Sequence, residues 1–150
     1  MMNPQNRSFV FIGIILLVLG ISLYTYIQRG SIPTEDFPAT VHRDCAPWDG
    51  SAFTVQIPLQ DGTTIDISIW QSPDILLPVQ FKFPDDTGQV GNAILVNQAD
   101  RPGQLSGTVS FIRVDPSATV KGRFDLRDEA GNSFQGKFSA EWDTFTALCG

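Results

Sequence analysis

Histidine is almost absent: His42 is the single one in 150 residues. Serine–histidine and cysteine–histidine nucleophile pairs, like histidine-based zinc sites, need an imidazole inside the fold. His42 falls in a proline-spaced stretch ahead of the first strand pattern, so no such site is expected. Cysteine is nearly as scarce. Cys45 and Cys149 are the only two, and neither directly follows the apolar run, where a bacterial lipid-attachment cysteine would stand. Lys and Arg number 10 against 16 Asp and Glu, a net charge of −6, which disfavours nucleic acid as a partner. No glycine-rich loop opens a helix to cradle phosphate, and there is neither an internal repeat nor a low-complexity tract. No cofactor and no metal are expected.

One long apolar run is present. Phe9 to Ile27 gives about nineteen residues without a charge, close to the roughly 20 that cross a bilayer core as a helix. Tyr24 and Tyr26 at its far end suit the membrane interface, and Arg7 with the terminal amine favours a cytoplasmic amino terminus. A cleaved signal peptide is the rival reading, with Gly20 and Ser22 before the cut. Apolar sequence continues past them, however, beyond the roughly 7 to 15 residues of a signal's apolar stretch. The expected organisation is a short cytoplasmic tail over 1–8, a single-pass transmembrane signal-anchor helix over 9–27, a tether over 28–44 containing Pro33 and Pro38, and an extracytoplasmic β-domain over 45–150. That last part suffices for one modest core.

Within it, period-two alternation recurs. Val120, Gly122, Phe124 and Leu126 alternate with Lys121, Arg123, Asp125 and Arg127, and a second run carries Phe134, Gly136, Phe138, Ala140 and Trp142 on one face. Opposing Leu126 to Phe134 leaves Glu129-Ala130-Gly131 as a three-residue loop with glycine at the position that needs positive φ. The same register sets Phe124 opposite Gly136 and Gly122 opposite Phe138, each ring covering a bare backbone. A two-residue Asp61-Gly62 turn would oppose Ile57 to Asp66. A three-residue loop, Gln60-Asp61-Gly62, instead pairs Ile57 with Ile65 and Val55 with Ile67 and keeps one apolar face. Pro58 should then lie on an edge or at a non-bonded position.

Further short strands cover Val79 to Phe83, Ala93 to Val96 and Leu105 to Val114. Asp115-Pro116-Ser117-Ala118 returns the last of these as a type I turn, opposing Phe111 to Gly122 and Val109 to Phe124. Ile112 and Val114 then fall on the wet face, where a loop is expected to cover them in part. Ile75-Leu76-Leu77 is read as a buried connection. The expected fold is a small antiparallel β-sandwich or barrel of about seven strands behind an N-terminal transmembrane helix, without a helix outside the membrane.

Candidate sites are few. Cys45 opens the domain and Cys149 nearly closes it, so a disulfide would fasten the last strand to the first. Most aspartates sit in turns, where they bond the backbone, and nothing pairs two of them for acid–base work. Asp85-Asp86-Thr87-Gly88 with Asn92 offers oxygen ligands, but no glutamate closes a calcium loop. Trp48, Trp70 and Trp142 could form a sugar-binding platform, but Trp142 falls on the core face, and a structural role is expected of the three. Lys121, Arg123, Arg127 and Lys137 share a wet face on which Arg123 opposes Lys137, a candidate anion or anionic-lipid patch. Asp85, Asp86 and Arg101 mark the loops expected to meet a protein or a surface polymer. The functional expectation is a membrane-anchored, non-catalytic binding or envelope-associated module. The alternatives are a secreted ligand-binding β-barrel and a carboxylate-dependent enzyme.

Overall fold

In a computed structural model of the chain, the described residues are 36–74, 78–97, 102–144 and 147–149. The tail, the span over 9–27, the tether before Asp36, the connection at 75–77 and Arg101 lie outside them. Among the described residues no helix is long and apolar enough to cross a membrane.

The described chain is all-β. Its strands are β1 (Asp36–Cys45), β2 (Ser51–Pro58), β3 (Thr64–Ile69), β4 (Val79–Phe83), β5 (Gly91–Val96), β6 (Gly103–Gln104), β7 (Ser106–Val114), β8 (Thr119–Arg127) and β9 (Ser133–Trp142). They form one curled sheet in the order β4-β7-β8-β9-β1-β2-β3-β5-β6. Curling brings strands far apart in that order into contact: Phe53 of β2 meets Phe111 of β7 edge-on at 5.6 Å between centroids. Phe111 also meets Phe81 at 5.7 Å and Phe138 at 5.8 Å, which makes it the hub of the core. Val55, Ile57, Ile65, Ile67, Ile69, Val109, Val120 and Leu126 complete a concave face filled by apolar side chains.

Both deduced hairpin registers hold. Leu126 opposes Phe134, Phe124 opposes Gly136 and Gly122 opposes Phe138, while Ile57 opposes Ile65 and Val55 opposes Ile67. Each loop closes with the same pair of backbone bonds, Gly131 N to Asp128 O with Asp128 N to Asn132 O in one, and Gly62 N to Leu59 O with Leu59 N to Thr63 O in the other. The glycines take φ of 89° and 85°. Ala46 to Gly50 repeats the device with Asp49 at φ 62°; aspartate tolerates that region better than most residues.

Four expectations need correction. Strand pairing begins at Asp36, not after residue 44, so the tether boundary is too late and His42 belongs to the sheet. Pro38 disguised this strand, but Phe37, Ala39 and Val41 alternate inward and Val41 is fully buried. Among the described residues the strands number nine rather than about seven, β1 and β6 being the additions. Not all pairing is antiparallel, because β1 runs parallel to β9, with Phe37 opposite Phe138 and Val41 opposite Trp142. Lastly, the β7–β8 register shifts between Phe111 and Arg113. This bulge inserts one residue, leaving Ile112 53% exposed while Val114 swings back toward the core opposite Val120.

Pro58 is not on an edge strand: it stands opposite Thr64 in the β2–β3 ladder, and on its β1 side it lies past the last paired residue. The β1–β2 ladder ends at Thr40 opposite Gln56; continued, the register would set Ala39 opposite Ile57 and then Pro38 opposite Pro58. Neither has an N–H to donate, so the ladder stops there.

Candidate functional site

Cys45 and Cys149 are joined in a disulfide with their Cα atoms 5.5 Å apart. The bond fastens the tail after β9 to the end of β1, two strands that already lie side by side. On the loop after Cys45, Trp48 is 53% exposed and meets Trp70 edge-on at 5.6 Å. Trp142 stands apart from them, its Nε1 donating to Asp115 O at 2.7 Å and Arg43 lying 5.5 Å over its ring. No flat tryptophan platform results, because the two neighbouring rings are nearly perpendicular.

The carboxylate of Asp85 organises its own loop. Oδ1 accepts from Thr87 N, Thr87 Oγ1 and Gly88 N, and Oδ2 accepts from Val90 N. The Thr87 hydroxyl and these amides hold the carboxyl down to about 2. Asp85 thus works inside the loop. Asp86 lines a shallow depression of about 170 Å³ with Gln80, Lys82 and Val90. Among the described residues no group of three or more His, Cys, Asp or Glu is placed to hold a metal ion.

On the outer face of β1, β2, β3 and β5 lies a polar strip that sequence reading missed. His42, Thr54, Ser68 and Asn92 form one cross-strand row, and Thr40, Gln56 and Asp66 the next. Thr54, 4% exposed, donates to Asp44 Oδ2 at 2.9 Å. Its only hydrogen is thereby used, so in the 2.9 Å contact with Ser68 the serine is the donor. Gln56 Nε2 donates to Asp66 Oδ2 at 3.3 Å. Burial raises the Asp66 carboxyl, opposed in part by that bond and by the charge of His42. Having His42 in the sheet removes the positional reason for excluding a histidine-assisted nucleophile. The hydroxyl nearest to it in register, Thr54, is nevertheless sealed and already committed to Asp44. Below the strip, the split between Pro38 and Pro58 opens a depression of about 260 Å³ also lined by Thr40, Gln56 and Thr64. A wider one of about 460 Å³ lies between Pro102–Gln104 and the hairpin at Asp128–Ala130.

The outer face of β4, β7, β8 and β9 is of the opposite character. Arg123 opposes Lys137 as expected, with Lys121 and Arg127 on the same side of β8. Lys82 of β4 joins them, its side chain exposed between the buried Phe81 and Phe83. That residue escaped sequence reading because the β4–β7 pairing crosses to the far edge of the sheet, although the alternation Gln80, Phe81, Lys82, Phe83 was the available signal.

No protein-family model matches the chain, and the searches of curated proteins and of solved structures return no match either.

Proposed function

We propose that this chain is a membrane-held, extracytoplasmic binding module that acts by presenting the outside of a stapled β-domain to a protein or a surface polymer, without turnover. In this reading residues 9–27 span the bilayer, the amino terminus is cytoplasmic, and the β-domain stands outside. The observation that carries it is the filled concave face: Phe53, Phe81 and Phe138 each pack a ring against Phe111, so that among the described residues the concave side is taken up by apolar side chains. Recognition then falls to the outer face and the loops, including Asp86 and the segments 85–92 and 98–103. The Cys45–Cys149 bond agrees with an oxidising compartment. A ligand-enclosing secreted barrel is disfavoured by the same packing. A carboxylate enzyme is disfavoured because Asp44, Asp61, Asp85, Asp115 and Asp128 each accept hydrogen bonds from neighbouring side chains.

Protease added to intact cells should remove most of the protein's mass, and crosslinking in native membranes should capture a partner on the shaved part. Full protection, with the protease shown to reach the membrane, would contradict the topology. Turnover of a substrate by the purified chain, lost on removal of one aspartate, would contradict the non-catalytic reading.

A further inference from the structure

We propose that Asp49-Gly50 is a modification site at which the folded chain converts Asp49 to isoaspartate, while the same dipeptide at Asp61-Gly62 is protected by its loop. Asp-Gly occurs at these two places alone in the sequence. In the reaction the Gly50 backbone nitrogen bonds to Asp49 Cγ, and its proton leaves with the carboxyl hydroxyl as water, closing a five-membered succinimide. Water then adds to one of the two ring carbonyls. Attack at Cγ restores aspartate. Attack at the main-chain carbonyl breaks that carbon's bond to nitrogen, and the backbone afterwards runs through the side chain. Water is the only co-reactant. Glycine in second place favours the first step because no Cβ crowds the nitrogen.

Three loops of the same build differ in what holds the amide that follows the positive-φ residue. Thr63 N donates to Asp61 Oδ1 at 3.0 Å, and Asn132 N donates to Asp128 Oδ1 at 2.8 Å. The third loop has Trp48 where Asp61 stands and Ala46 where Asp128 stands, and neither side chain offers an acceptor. Among the described residues neither the Gly50 N–H nor the exposed Asp49 carboxylate has a hydrogen-bond partner. At Asp61-Gly62 both reacting groups are engaged. Gly62 N donates to Leu59 O at 3.2 Å. The Thr63 hydroxyl, at 2.6 Å, and the Thr63 amide hold the Asp61 carboxyl below the usual carboxylate range, which leaves less of the protonated acid that can shed its hydroxyl. Asp49 is also the described non-glycine residue at positive φ, where a Cβ crowds the chain; isoaspartate, with one more backbone carbon, is not bound to that conformation. Trp48 feels the change, because its indole lies against Gly50: a Cβ built there would stand 2.7 Å from Nε1.

The test incubates the full-length, unreduced chain in non-ionic detergent and heavy-oxygen water at neutral pH for several weeks. Each passage through the succinimide exchanges one carboxyl oxygen, and tandem mass spectrometry after digestion in ordinary water assigns the label to a residue. In the folded chain label is expected at Asp49 about tenfold or more faster than at Asp61. In urea the two should take up label at similar rates, because the difference lies in the folded loops. Trp48→Asp, which supplies an acceptor where Asp61 has one, should slow labelling at Asp49. An isoaspartyl methyltransferase with a labelled methyl donor should mark the aged chain but not Asp49→Gly, which carries the residue the other two loops have at that position. Each variant's thermal melt is recorded to show that it is folded. No label at Asp49 in the folded chain, equal labelling of Asp61 there, or a difference that survives in urea would each overturn the proposal. So would unchanged labelling in Trp48→Asp, or label at Asp49 without methylation.

Discussion

The ring of Phe138 closes over Gly122: a Cβ built on the glycine would stand 2.5 Å from ring Cζ and 2.7 Å from the backbone oxygen of Ser110. Neither neighbour can yield easily, since the ring is also in edge contact with Phe111 and the oxygen belongs to β7. Gly122→Val should therefore destabilise by about 1 to 3 kcal/mol or more through overpacking, read as a lower urea midpoint of the purified full-length chain. Gln135→Val, on the outer side of β9, should shift it little. Equal effects at both positions would overturn the register.

How far such positions were legible depends on how locally they were specified. Gly122 opposite Phe138 followed from parity plus one turn, because a slip by one residue would have moved a whole apolar face outward. The parallel pairing of β1 with β9 joins residues about a hundred apart, and no turn encodes it. Pro38 made β1 look like tether, which also hid His42 and with it the polar strip. Ile112 and Val114 were the visible sign of the β7 bulge, two apolar residues on the wrong parity. For the charged outer face, the hairpin gave Lys121, Arg123, Arg127 and Lys137, while Lys82 needed the distant β4–β7 pairing.

The disulfide acts chiefly on the unfolded chain. β1 and β9 are already paired in the folded state, with Asp143 N donating to Val41 O at 2.9 Å, so the bond adds little positioning. It closes a loop with a sequence separation of 104, for which chain entropy gives roughly 4 to 5 kcal/mol. Cys45→Ser/Cys149→Ser should lower stability by about 2 to 5 kcal/mol with an unchanged fold. Unreduced protein should show no alkylatable thiol; two would rule the bond out.

Acid should loosen the turn carboxylates. Asp85 and Asp115 are held at about 2, the first by the Thr87 hydroxyl and loop amides, the second by Arg113 and then Ser117. Their folded values lie below the ordinary carboxylate value of about 3.9. Each therefore contributes stability that is present above pH ~4 and is lost as pH falls toward ~2. Asp85→Asn should be less stable than the unaltered chain at neutral pH, and the gap should close over that window in urea melts recorded at stepped pH. A gap that stays constant would mean the ionised carboxylate contributes nothing special.

The two aspartates of the outer polar strip should respond in opposite directions. Asp44 accepts from the nearly buried Thr54 hydroxyl and from Cys45 N at 2.8 Å. Asp44→Ala removes the acceptor of a hydroxyl that water barely reaches, and should cost about 1 to 3 kcal/mol. Asp66 is raised because its charge is half-buried, and its Oδ1 has no hydrogen-bond partner. A raised carboxyl favours the fold while protonated, so its contribution is present below the ordinary carboxylate range and is lost as pH rises through the folded value. At neutral pH the ionised Asp66 is a burden, and Asp66→Asn, which keeps an acceptor for Gln56, should stabilise the chain there and lose that advantage as pH falls below ~4. Urea midpoints of both variants at pH 7 and pH 3.5 decide the matter. Destabilisation by Asp66→Asn at pH 7 would show that its charge, through His42, outweighs its burial.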